Sequence, residues 1–149
     1  MKTALLLSVA IAGVAAHGSS RPLGSAVVTR GEPTHSVWDS VYTDSQSVRG
    51  DSLYKQSCAK CHGAALQGTD DGAALTGDPF FANWDGKSLG ALHDIIRISM
   101  PSDNPKSLSR SQVSDLVAYL LARNHFPSGA TALGSEADRL NDVKIVKRR

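Results

Sequence analysis

The sequence predicts an all-α fold of three main helices joined by long loops. Two capping boxes, Thr43 with Gln46 and Ser109 with Gln112, each open a helical stretch by pairing a cap hydroxyl with a glutamine three residues on. Apolar residues recur at helical spacing, as Leu89, Leu92, Ile95 and Ile96, then as Val113, Leu116, Val117, Leu120 and Leu121. Glycine, proline and small polar residues fill the intervals.

Residues 1–16 read as a secretory signal peptide. Lys2 supplies the positive start, Ala4 to Ala12 the apolar run and Val14-Ala15-Ala16 a small-residue cleavage site. That run is shorter than the roughly 20 apolar residues of a membrane span, and no other run approaches that length. No cysteine follows the cleavage point to carry a lipid. The expectation is a soluble periplasmic or secreted protein with no integral membrane segment in its mature chain. Residues 17–42, rich in Ser, Thr, Gly, Arg and Pro, read as a flexible leader whose end docks through Val37, Trp38 and Val41.

The folded domain is expected over residues 43–127. Its first helix runs from Thr43 to about Ser57, with Val48, Leu53 and Tyr54 as its apolar side. Gly50 inside it costs about 1 kcal/mol against alanine, which close approach of another helix would explain. Residues 63–78 hold four glycines and form a loop able to wrap a flat ligand. Lys87-Ser88 starts the second helix, which stops at Met100-Pro101 because proline disfavours a helical residue ahead of it. The third starts at Ser109 and ends at Asn124 and Pro127. Residues 128–149 are expected as a tail over the surface, partly disordered, with one helical turn near Glu136 to Leu140.

The formal net charge is +2, and the stretch 41–126 balances 8 Lys and Arg against 9 Asp. The basic excess sits in Lys144, Lys147, Arg148 and Arg149. Without a wider basic stripe, no nucleic-acid partner is expected.

Cys58-Ala59-Lys60-Cys61-His62 is the stretch with the most chemistry. Two thiols and an imidazole within one turn have the spacing of covalent haem attachment. A disulfide between Cys58 and Cys61 would close too short a loop to constrain the chain and would leave His62 unexplained. The expected set is thioether links from Cys58 and Cys61, His62 as proximal iron ligand and Met100, whose only fellow methionine is Met1, as distal ligand. Leu66, Leu75 and Leu108 are expected against the haem or simply in the core. His93 and His125 are rival ligands expected instead on helix surfaces, His93 opposite Leu89 and Ile96.

Gly50 and Tyr54, the Cys58–His62 stretch, Met100-Pro101 lying 38 residues after His62, and Ser114 to Leu120 together resemble a class I c-type cytochrome. The likeness covers about Val41 to Pro127. It implies a cytochrome c fold around one covalent haem c and an electron carrier rather than an enzyme. It also implies that Gly50 and Tyr54 meet Leu116 and Tyr119, and that Trp84 covers a haem edge and donates to a propionate. Many such proteins carry a proline after the haem motif whose carbonyl receives the histidine Nδ1 proton; Ala73 stands there in this chain. The stretches around Tyr42, Arg49-Gly50, Leu75 to Asp78 with Trp84, and Ile98 to Pro101 resemble small periplasmic cytochromes that serve quinoprotein dehydrogenases. Those imply a respiratory chain running from such a dehydrogenase toward a terminal oxidase. A five-coordinate haem enzyme or gas sensor and a thiol or zinc module stay open as alternatives. With three helices and long loops the protein core is thin, so the domain is expected to fold poorly without haem.

Overall fold

The computed structural model describes residues 35–148. The expected signal peptide and the leader up to Thr34 lie outside them. Within this range the fold is all-α, with short helices added to the three main ones and a two-residue parallel strand pair. Helix α1 spans Asp44–Ser57, α2 Ala59–His62, α3 Gly77–Trp84, α4 Leu89–Ser99, α5 Arg110–Arg123 and α6 Ala137–Asn141. Strands β1 (His35–Ser36) and β2 (Val143–Lys144) pair in register His35 with Val143. No helix among the described residues is long and apolar enough to cross a membrane.

The three long helices start where their caps direct. Thr43 and Gln46 form a reciprocal capping box, as do Ser109 and Gln112, and the Ser88 hydroxyl accepts from Ala91 N–H. Satisfying the orphan donors of a first turn in this way is worth about 1 kcal/mol per cap. Helix α5 is buried on nearly every side from Val113 to Leu121. Its neighbours are α1, α4 and the chain after α5, where Gly134 C=O accepts from the Ser114 hydroxyl at 3.0 Å. Gly50 is the point of closest approach between α1 and α5. A methyl group there would collide with the Asp115 carbonyl and stand 2.7 Å from Tyr119 Cβ. Beside it Arg49 grips Asp115 through two bonds, of 2.8 and 2.7 Å, and the Tyr54 and Tyr119 rings lie 5.3 Å apart.

Packing runs past both expected ends of the domain. Val37 is fully buried, Trp38 meets Phe126 edge-on at 4.7 Å, and the Tyr42 hydroxyl donates to Phe126 C=O at 2.7 Å. The chain after Pro127 is not a surface tail. Leu133, Leu140 and Ile145 are buried, and the Gln46 side chain exchanges hydrogen bonds with the Leu133 backbone at 3.0 and 2.7 Å. The expected helical turn is α6. Helix α3 was not among the expected helices, and its first residues, Gly77 and Asp78, fall inside the loop expected over residues 63–78. Thr76 gives it no side-chain cap; the side chain of Asn124, at the end of α5, accepts from Gly77 N–H at 3.1 Å instead.

Candidate functional site

Cys58 ends α1, its N–H donating to Tyr54 C=O at 2.8 Å. The next four residues make the single turn α2. Cys61 and His62 N–H both donate to Cys58 C=O, at 3.1 and 3.0 Å, so both cysteines and the histidine belong to one rigid turn. The buried Tyr54 hydroxyl, its pKa pushed up to about 12 chiefly by burial, donates to Gly63 C=O at 2.6 Å and ties that turn to α1.

The loop 63–76 folds back over α2. Gly68 N–H donates to His62 C=O at 2.8 Å, and the Thr69 hydroxyl donates to Cys61 C=O. Gly72 lies so close that a Cβ on it would stand 2.7 Å from Cys61 O and 3.1 Å from His62 Nδ1. This approach brings Ala73 C=O to 2.7 Å from His62 Nδ1. A carbonyl only accepts, so Nδ1 carries the proton and Nε2 keeps its lone pair free for a metal.

A cavity of about 470 Å³ opens beside this turn, within the range of small-molecule and cofactor sites. Cys58 lines it from the junction of α1 and α2, Cys61 and His62 from α2, and Met100 from the end of α4, where its N–H caps Ile96 C=O at 3.0 Å. Leu75 and Trp84 line it too, so all six expected site residues share one cavity. The remaining wall is mostly apolar, from Leu92, Ile95 and Ile96 of α4 and Leu116 and Leu120 of α5. Cys58 is half-buried, and burial first, then Cys61, pushes its thiol up to about 11. A redox-active thiol needs the opposite shift. Among the described residues, no group of three His, Cys, Asp or Glu is arranged to hold a metal ion by itself, which argues against a zinc module. Two sulfurs, one imidazole with a free Nε2 and one thioether around an apolar space fit a flat, largely apolar metal macrocycle.

The family described as cytochrome c oxidase, cbb3-type, subunit III, matches residues 46–120, half of the chain. The chain belongs to this family. It is a class I monohaem c-type cytochrome, and its cofactor is one covalently bound haem c with iron. No curated protein matches this cytochrome. The crystal structure of the sulfane dehydrogenase SoxCD from Paracoccus pantotrophus is similar over 72% of this chain, with 23% identity and a TM-score of 0.49. The cytochrome spans 61% of that chain.

One expectation about the cytochrome's residues needs correction. His93 is not on the surface: it is 1% exposed, with Nε2 3.3 Å from Arg110 C=O. It is one turn from both Leu89 and Ile96, so the helical period puts all three on one side. His125 is exposed, and neither histidine lines the cavity. Leu66 and Leu108 pack in the protein core without lining the cavity. Sequence reasoning also missed polar residues of the lining. Lys60 of α2 bonds Asp103 beyond Met100 at 2.7 Å, and Lys87 stands 5.2 Å over the Trp84 ring. The Lys60–Asp103 pair joins residues 43 positions apart, and no local pattern announces it.

Proposed function

We propose that this cytochrome is a soluble, exported carrier of single electrons, and not itself an enzyme. Cys58 and Cys61 hold haem c through thioethers, while His62 Nε2 and Met100 Sδ ligate its iron. Haem c, when bound, supplies an iron centre that takes up and releases one electron. The chain's own residues keep that exchange simple. Ala73 C=O fixes the tautomer and direction of His62. The rigid α2 turn holds both sulfurs, and the α4 and α5 side chains keep water from the cavity. An imidazole and a thioether that both held the iron would leave it no open position for oxygen or a substrate.

One observation carries this reading: the only methionine among the described residues lines the same cavity as Cys58, Cys61 and a histidine whose Nε2 is left free. Export rests on the sequence of residues 1–16, with the leader after it and the haem domain continuing through residue 148. The proposed electron donor is a periplasmic quinoprotein dehydrogenase, on the sequence likeness around Tyr42, Trp84 and Met100. The proposed acceptor is a terminal oxidase, in keeping with the family's description.

The test is a reduced-minus-oxidised spectrum of the native protein, with and without Met100→Ala, alongside intact mass. Covalent haem in both proteins and a far-red sulfur-to-iron band lost only in the variant are expected. A native protein lacking that band would point to a five-coordinate enzyme or sensor. A bare peptide mass, under conditions where cytochrome maturation works, would overturn the reading altogether.

A further inference from the structure

The chain after α6 returns to α3 and to its junction with α4, which carry Trp84 and Lys87 of the cavity lining. Gly86 N–H donates to Ile145 C=O at 2.8 Å, and Ile145 N–H donates to Lys87 C=O at 2.9 Å. The Ile145 side chain is fully buried. Two residues on, Lys147 N–H donates to Asp85 Oδ1 at 2.8 Å and its ammonium to Asp78 Oδ1 at 2.6 Å. Trp38 holds the same segment from its other side, its indole N–H donating to Val146 C=O at 2.8 Å. These contacts fall on the first turn of α3 and on the junction between α3 and α4.

Trp84 and Lys87 flank that junction, and both line the cavity. They bring an indole donor and an ammonium to the wall. The junction makes one local turn, with Lys87 N–H donating to Trp84 C=O at 3.0 Å around Gly86 at φ +79°, and the backbone pairing with Ile145 ties that turn to the chain after α6. The exposed Lys147–Asp78 pair adds little by itself; the paired backbone and the buried isoleucine do the holding. This segment lies beyond the residues that match the family.

We propose that residues 143–147 are a positioning element for the cavity wall. They hold Trp84 and Lys87 in place and thereby raise the reduction potential of the haem c bound there. Lys87 is exposed and stands 5.2 Å over the Trp84 ring; an ammonium kept there favours the reduced site, which carries one positive charge less. A closed wall keeps out the water that would stabilise the oxidised one. The inference rests on the seating of haem c in this cavity given under Proposed function.

The experiment compares full-length holoprotein with a chain ending at Asp142, each with and without Lys87→Gln. Intact mass reports covalent haem, spectroelectrochemistry the potential and urea unfolding the stability. Truncation should lower the potential, and this shift should shrink in the Lys87→Gln background, because coupled residues are not additive. If the truncated chain fails to mature, Ile145→Ala, which spares the backbone bonds, should give a smaller shift of the same sign and the same coupling. An unchanged potential with lowered stability, or equal shifts in both backgrounds, would reduce the segment to a purely structural role and overturn the inference. Full-length protein without covalent haem would instead overturn the functional reading itself, and this inference with it.

Discussion

Gly50 of α1 lies directly against the Asp115 carbonyl of α5, with no room between the two backbones for a methyl group. Helix α1 carries Cys58 at its end, while α5 sends Leu116 and Leu120 into the cavity wall. The contact therefore sets the distance between the attachment turn and the wall facing it. Gly50→Ala should gain about 1 kcal/mol of helix propensity and lose more to overpacking, which typically costs about 1–3 kcal/mol. Urea unfolding of the holoprotein should report a net destabilisation. A more stable Gly50→Ala protein would mean that α1 and α5 slide apart at no cost.

Gly72 makes a second close approach, to the Cys61 carbonyl and the His62 ring. Gly72→Ala should push the loop off α2 and lengthen the bond between His62 Nδ1 and Ala73 C=O. That bond makes the imidazole a stronger donor to iron and favours the oxidised state. The variant should then have a raised potential with haem still attached. A tenfold weaker preference for ferric iron would read as ~59 mV. An unchanged or lowered potential would mean that the Ala73 carbonyl does not tune His62.

What sequence could reveal here follows the range of each interaction. Thr43, Ser88 and Ser109 cap within three residues, so the starts of α1, α4 and α5 were legible. The attachment turn was legible because its donors are neighbours in the chain. Helix α3 was not: its first N–H is received by Asn124, 47 residues away, and no side chain beside it in the sequence caps it. The burial of Leu133, Leu140 and Ile145 has no helical or strand period to announce it, since each meets a different part of the domain. His93 was legible and misread, its four-residue spacing from Leu89 giving the buried side.

His93 predicts a pH dependence. Burial, its largest influence, lowers its pKa, and the Arg110 and Arg97 charges act the same way; the Arg110 carbonyl and Asp94 oppose them. A histidine lowered on folding binds its proton more readily in the unfolded chain, so stability falls with pH once pH drops below the unfolded value of about 6.5. The loss continues until the folded-state value is passed. Urea midpoints measured from pH 7.5 downward should decline, and His93→Gln should flatten that decline. A parallel decline in both proteins would assign it to other groups.

The cavity between α2, α4 and α5 bears on folding itself. Leu92, Ile96, Leu116 and Leu120 all face it, so the domain's main helices meet across a space instead of across one another there. Apolar surface lining an unfilled space gains neither dispersion contacts nor full release of water. Covalent haem c fills that space and stays with the chain, so its contribution is not diluted as a dissociable ligand's would be. Cys58→Ala with Cys61→Ala, produced without bound haem, should show a broad, weakly cooperative thermal transition and exchange its α5 amides quickly. Wild-type holoprotein should melt in one cooperative step. A sharp transition in the colourless variant near the holoprotein's would mean that the contacts of Gly50 and Tyr54 with α5 suffice to fold the domain.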